Sequence, residues 1–426
     1  MKGKKVYKVI FLMSHPPAYE NYPGSPRFPV SWETADGNWV GLMGPGDWGD
    51  IIGSNVLERS EEFEFEVWQP DLRADKVYSH RYPWGLVHKL IPAVHVKTRR
   101  GMKSYTAVDS PSVFKNLKEL NGEEKTILHF PADYSHLNAR YLKEFSGIYP
   151  VVNVFFLNPR TITMESNTLN PLKLFHRWAF HLQKKRHFSR IKEVIINNEE
   201  DIDLVRKFIP GNIHIGKFAG LNFNEWTIDK TKAEARNALG IAEDRFIMLS
   251  SSRLIPTKQI DKLIGIAGRL PAKDFKLYIT GAGENHYTSL LKEMISKSGM
   301  EEQIELVGYL EKKKLRDYYL AADLFVSTSL LEAGPGSGII ALALETPIFA
   351  TDTGMLSAYL RTRGIGILVP PEDYGLWEKE LAALLTGKKS VKSSMREEVG
   401  QEFSQDRYFN DLIDIYKQTA QNFYKS

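Results

Sequence analysis

What most restricts the fold of this chain is a repeated pattern. Short runs rich in Val, Ile, Leu and Phe, each about one strand long, close on polar or turn residues and are followed by segments with helical spacing. In the first half they are Val9 to Ser14, Phe63 to Gln69, Thr126 to Pro131, Val151 to Leu157, Glu193 to Asn198 and Ile213 to Phe218. In the second half they are Arg245 to Ser250, Lys276 to Thr280, Ile304 to Gly308, Asp323 to Ser329 and a run opening at Ile348. Strands of continuous apolar character belong inside parallel sheets with helices on both faces, so the pattern predicts an α/β fold. A chain of 426 residues exceeds what one hydrophobic core supports, which predicts two such domains.

Composition removes several chemistries. Without cysteine the chain has no disulfide framework, no thiolate metal site and no thiol nucleophile. The N-terminal apolar run is interrupted by Lys8 and ended by His15 and two prolines, so it reads as a strand and not as a signal peptide. No run approaches the roughly 20 apolar residues of a spanning helix, so the expectation is a cytoplasmic protein whose membrane contact, if any, is peripheral. The net charge of +4 is mild, but the positive residues cluster. Between Leu172 and Lys192 a helical pattern puts Leu172, Phe175, Ala179 and Leu182 on one face and Lys173, Arg177, Lys184, Lys185, Arg186, Arg190 and Lys192 elsewhere. Trp84 to Lys103 mixes aromatic and basic residues in the same way. Two readings stay open: a core-facing helix with a solvated charged face, or a patch that meets anionic lipid headgroups. Nucleic acid is not expected, because acidic residues elsewhere balance the charge.

The chemistry concentrates at strand ends in the second half. From Ser329 to Gly354 a strand is followed by Glu332, by Gly334, Gly336 and Gly338, and by an apolar helical stretch from Ile339 to Leu344 that Pro347 closes. A helix that opens on glycines leaves N–H groups facing outward, an arrangement suited to phosphate and equally to a plain tight turn. Arg253 stands at the end of an earlier strand and Lys258 just before the next helix. Gly281 and Gly283 follow a third strand, and Gly308, Tyr309 and Leu310 a fourth. In the first half, His15 to Gly49 is long, rich in Pro, Gly and aromatics, and ends with Gly46, Trp48 and Gly49 ahead of a helix. A turn there lies at the edge where α/β sheets bind ligands.

The order and spacing of these second-half motifs resemble the retaining glycosyltransferases of GT-B fold, specifically family 4. Arg253 and Lys258 match the family's cation pair, with Ser252 and Gln259 where it has glycines; Glu332, Ala341, Thr346 and Pro347 match its donor signature. Position 340, where the family has a second glutamate, is Ile340, and Phe155 or Phe156 stands where it has an acceptor-side histidine. His129 and His136 lie nearby but do not match that place. Ala219 to Trp226 resembles the interdomain crossing.

The resemblance implies two doubly wound, Rossmann-like domains facing a central cleft. An acceptor-side domain would span 1–218, a nucleotide-sugar domain 219–404, and a C-terminal helix, 405–426, would cross back to the first domain. It implies transfer of a sugar from a nucleoside diphosphate sugar, used as co-substrate with no cofactor, to a carbohydrate or lipid-linked acceptor hydroxyl. Arg253 and Lys258 would clamp the diphosphate, aided by N–H groups of Gly336, Ser337 and Gly338, and Glu332 would orient the sugar. Gly281, Gly308, Tyr309 and Leu310 would border the nucleotide, and Gly46, Trp48 and Gly49 would close over the diphosphate. No metal is required, and none is suggested by ligand spacing. Two alternatives remain: a non-catalytic GT-B binding or partner subunit, and a sugar-nucleotide epimerase.

Overall fold

The structure, a computed structural model, describes residues 6–16, 48–96, 108–120, 125–131, 135–154, 178, 182, 184–216, 220–242, 244–271, 274–283, 285–330, 332 and 336–425. The chain divides into two compact units, Met1–Gly216 with Phe409–Ser426, and Lys217–Tyr408.

The first unit is built on strands β1 (Tyr7–Leu12), β2 (Phe63–Asp71), β3 (Tyr78–Arg81), β4 (Val87–Pro92), β7 (Lys125–Pro131), β8 (Val151–Val154), β9 (Glu193–Ile196) and β10 (Asn212–Ile215), with a separate two-stranded ribbon of β5 (Val94–His95) and β6 (Val108–Asp109). Their order in the main sheet is β10-β9-β8-β7-β1-β2-β4-β3. Seven of these strands run parallel, as the apolar runs predict; β3 does not. It pairs antiparallel with β4 through a tight turn in which Tyr82 N donates to Leu86 O at 2.8 Å and Gly85 takes φ 99°. Only antiparallel strands can be joined by so short a connection. The polar alternation of Tyr78, Ser79, His80 and Arg81 hides this edge strand from a search for apolar runs.

Lys8, which interrupts the first apolar run, is used inside the sheet. Its ammonium lies 3.0 Å from Glu66, which also pairs with Lys89 at 2.7 Å and accepts from Trp68 Nε1 at 2.6 Å. Burial pushes the Glu66 carboxyl up, but Lys89, Lys8 and the Trp68 bond outweigh it and hold the group below its ordinary range.

The terminal helix Gln405–Lys425 lays Leu412, Tyr416 and Ala420 on one buried face. Tyr416 is hydrogen-bonded to Nδ1 of fully buried His129, and the Tyr424 hydroxyl donates to Thr126 O at 2.8 Å. His129 is thus a core residue, fastened to a helix distant in sequence.

The segment before β9 corrects the expected helical face. Leu182, placed on the apolar face by periodicity, is 44% exposed, whereas Lys184 is buried. The core contact is made instead by Phe188 and Ile191, and their phase brings Lys184 inward and turns Leu182 out. Most of Leu172 to Gln183 and all of 97–103 lie outside the described residues, as do Phe155 and Phe156.

In the second unit β11 (Phe246–Ser251), β12 (Phe275–Thr280), β13 (Ile304–Gly308), β14 (Leu324–Ser327), β15 (Ile348–Thr351) and β16 (Ile367–Val369) form an all-parallel sheet in the order β13-β12-β11-β14-β15-β16. Side chains alternate between two cores: Ile247, Leu249 and Phe325 face one helical layer, and Met248, Leu324 and Val326 the other. This is a doubly wound sheet. Its strand order reverses between β11 and β14, the place where such sheets open a crevice at their carboxyl ends.

Helix Lys232–Leu239 begins and stops where its sequence says. Thr231 and Glu234 form a reciprocal capping box, and Gly240 ends the helix at φ 68°. Buried Arg236 ties it to the sheet, donating to Ala321 O at 3.1 Å and to Asp323 at 2.5 Å. Where the chain enters and leaves this unit the two passes are laced together: Leu221 N donates to Phe403 O at 2.6 Å and Gln405 N to Leu221 O at 3.1 Å. Gly220, at φ 74°, has no room for a side chain, since a Cβ would stand 2.4 Å from Gln405 N.

Candidate functional site

Two strand ends meet at the reversal point. After β11 the chain runs through Ser252, exposed Arg253 and buried Leu254 into a 3-10 turn, Pro256–Lys258, and then into helix Ile260–Ala267. After β14 it runs through buried Thr328 and Ser329 to Glu332. Leu330 N donates to Thr257 O at 2.9 Å and Thr328 Oγ1 to Lys258 O at 2.7 Å, so a backbone bond and a side-chain bond tie the two segments together. As a result Lys258 Nζ pairs directly with Glu332 Oε1, and the Ser329 hydroxyl donates to the same oxygen at 2.7 Å. The side chains of both ions are only 15% and 11% exposed, so water screens the pair little. Arg253 has no side-chain partner among the described residues and is exposed at the same strand end.

A third strand end completes the corner. Thr351, closing β15, donates its hydroxyl to Ser329 O at 2.6 Å. Gly354, at φ 69°, lies so close to the Glu332 backbone that a Cβ would stand 2.1 Å from Glu332 O.

The helix predicted from Ile339 starts earlier, running Gly336–Ala343, because the glycines are part of its first turn. Its first N–H groups, those of Gly336, Ser337 and Gly338, have no acceptor within the helix. Fully buried Tyr319 steadies that turn by donating to Ser337 O at 3.0 Å. Gly338 also has a packing reason: a Cβ there would meet Leu356 Cδ2 at 2.6 Å. At the other end Glu345 N donates to Leu342 O at 3.1 Å and Thr346 N to Ala341 O at 2.9 Å, a Schellman ending with Glu345 at φ 56°. The Glu345 carboxylate accepts from Arg396 N at 2.8 Å. It stands at the wrong end of the helix to replace a carboxylate at position 340, and Ile340 itself packs against the core.

Gln259 explains a departure in the motif. It is not glycine, yet it adopts φ 51° and ψ 34°. That conformation is the physical reason a glycine suits the position. The glutamine is held there by burial and by a bond from its Nε2 to the Tyr374 hydroxyl at 3.0 Å.

The remaining glycines serve the architecture of the strand ends. A Cβ on Gly281 would stand 1.9 Å from Ser252 O, and one on Gly283 1.9 Å from Leu254 O. Leu254 N donates to Ala282 O at 2.9 Å, so this turn presses on the loop that carries Arg253. Gly308, at φ 82°, accepts from Gly281 N at 2.8 Å; Tyr309 beyond it is 73% exposed and Leu310 packs against the core. In the first unit Gly49 is buried and Trp48 opens helix Trp48–Arg59, while Gly46 lies outside the described residues.

Four residues of the corner escape motif reading: Thr328, Ser329, Thr351 and Gly354. The only local signal is that the β14 run ends in hydroxyls. Among the described residues no group of three or more His, Asp or Glu side chains is placed to hold a metal ion, and no helix is long and apolar enough to cross a membrane.

Residues 231–402, within the second unit, match the family described as Glycosyl transferases group 1. The D-inositol 3-phosphate glycosyltransferase of Geodermatophilus obscurus is 26% identical over 201 residues, 45% of this chain and 44% of its own length. The chain thus spans less than half of that relative. Sucrose-phosphate synthase from Thermosynechococcus elongatus superposes with a TM-score of 0.69 at 16% identity, covering 99% of this chain and 100% of the other. Anabaena Alr3699/HepE in complex with UDP-glucose gives 0.60 at 16% identity, covering 98% and 100%. The fold is therefore GT-B, with two Rossmann-like domains.

Proposed function

We propose that the protein is a retaining glycosyltransferase that moves a sugar from a nucleoside diphosphate sugar to an acceptor hydroxyl. The observation that carries this reading is the meeting of Lys258 and Glu332 at the reversal point of a sheet whose segment matches group 1 glycosyl transferases. Arg253 and Lys258, with the N–H groups that open helix Gly336–Ala343, supply positive charge where a departing diphosphate would gather negative charge. This positive charge lets the site work without a metal. Glu332 accepts hydroxyls of the donor sugar, and a diphosphate oxygen takes the acceptor's proton on the face the leaving group occupied. Tyr309 and Leu310 border the base, with Gly281 and Gly308 shaping the strand ends beneath it. The first unit serves the acceptor side.

The acceptor we infer is a carbohydrate or a lipid-linked carbohydrate, handled at an anionic membrane surface during polysaccharide or glycolipid synthesis. Exposed Trp178 (58%) and Leu182 (44%), beside exposed Lys185 and Arg186, support this, as does Trp84, half exposed and stacked on Tyr82. Co-sedimentation with phosphatidylglycerol vesicles at low salt is expected, and its absence would remove the membrane part of the reading.

A second reading, a donor-binding subunit without turnover, is favoured by one feature: Ile340, partly buried against the core, stands where a ribose-binding carboxylate would be. Incubation with a panel of nucleotide sugars separates the two. Transfer or slow donor hydrolysis, lost in Arg253→Ala and Lys258→Ala, supports the transferase; binding without turnover supports the subunit. Turnover that survives both substitutions would show the cation assignment to be wrong.

A further inference from the structure

Glu332 is held by two donors at one oxygen. Its Oε1 takes the Lys258 ammonium and the Ser329 hydroxyl, while Oε2 has no bond among the described residues. Ser329 is 2% exposed, and its carbonyl accepts in turn from the Thr351 hydroxyl at 2.6 Å, so the backbone that carries the Ser329 side chain is tied to the next strand end.

The two donors differ in what else they can do. Lys258 is also the cation proposed above for the diphosphate, and an ammonium drawn to a diphosphate leaves the carboxylate. Ser329 has no competing use. Its bond to Oε1 is made without Lys258.

We propose that Ser329 is a positioning residue, which keeps Glu332 aimed with Oε2 outward while Lys258 passes from the carboxylate to the diphosphate. The proposal rests on the donor-site reading of Lys258 and Glu332. It assigns Ser329 no contact with substrate; its effect is exerted through Glu332 and concerns the sugar, not the nucleotide.

Calorimetric titration of the full-length chain with a panel of nucleoside diphosphates and the matching nucleoside diphosphate sugars tests it. The readout is the ratio of the two Kd values for one base. In Ser329→Ala the preference for the sugar-bearing ligand should fall about tenfold, the effect of losing one hydrogen bond to a charged group. Glu332→Ala should lose it as fully, and adding Ser329→Ala to Glu332→Ala should change nothing more. Ser329→Thr, which keeps the hydroxyl, should retain the wild-type ratio. An unchanged ratio in Ser329→Ala, even with a lowered Tm, would make the hydroxyl merely structural and overturn the proposal. Additive effects of the two alanine substitutions would overturn it equally. If the wild-type chain bound none of the probes, the donor-site reading would fail, and this inference with it.

Discussion

Gln259 offers a test of whether backbone conformation shapes the lysine turn. A residue with a Cβ held at φ 51° and ψ 34° is strained by about 1–2 kcal/mol relative to an unstrained backbone. Against that stands the bond from Gln259 Nε2 to the Tyr374 hydroxyl, a contribution of about 1 kcal/mol. Gln259→Ala removes the bond but keeps the Cβ and its strain, so it should destabilise by about 1–2 kcal/mol. Gln259→Gly removes both, and the relief is reduced by the roughly 0.5–1 kcal/mol that glycine loses in chain freedom. Glycine should therefore be more stable than alanine here, by roughly 0.5–1 kcal/mol. At an exposed helical site such as Lys292 the order reverses, with alanine ahead by about 1 kcal/mol. Urea denaturation of the full chain, read at the transition in which the second unit unfolds, compares the two pairs. If alanine exceeded glycine at position 259 as it does at 292, the left-handed backbone would not be what this turn requires.

Other consequences follow from the same packing. Gly354→Ala drives a Cβ into Glu332 O from a left-handed backbone, and should cost more than about 2 kcal/mol in denaturant titrations while abolishing donor binding; retained donor affinity would mean that Glu332 does not depend on this contact. Tyr416→Phe leaves a fully buried His129 nitrogen without its bond, and a loss of about 1–3 kcal/mol is expected, with an unchanged Tm as the contrary result. Acid should weaken the first unit before the second. Burial, with the charge of His80 for His88, holds both His88 and His129 at about 3, below the ordinary 6.5. The unfolded chain therefore binds protons that the folded chain refuses: their stabilisation is complete above pH 6.5 and is lost as pH falls towards 3. At pH 5 this amounts to about 2 kcal/mol for each histidine. Hydrogen exchange that opened β11–β16 first on acidification would contradict it.

The fold was legible because parallel strands, apolar on both faces, announce themselves, and because caps such as Thr231, Glu234 and Gly240 carry their geometry locally. Edge strand β3 was not, since its residues alternate polar and half-buried and its pairing depends on a turn. The phase of the segment before β9 was misread for a related reason. Nothing local marks Leu182 as exposed and Lys184 as buried, and only the packing of Phe188 and Ile191 decides it. At the site, Arg253, Lys258 and Glu332 could be named from spacing, but their relation could not: Lys258 and Glu332 lie 74 residues apart and meet only because the sheet reverses its strand order there. The glycines show the same limit. Gly281 and Gly338 lie in turns that suggest ligand contact, yet each is also required by backbone or a side chain from another element.

Whether this corner receives a diphosphate is decided by a crystal structure with a bound nucleoside diphosphate. Phosphate oxygens should lie within hydrogen-bond distance of the Arg253 guanidinium and the N–H groups of Ser337 or Gly338, with Lys258 turned from Glu332 onto the diphosphate. A nucleotide bound elsewhere, or bound here with Lys258 still paired to Glu332, would contradict it.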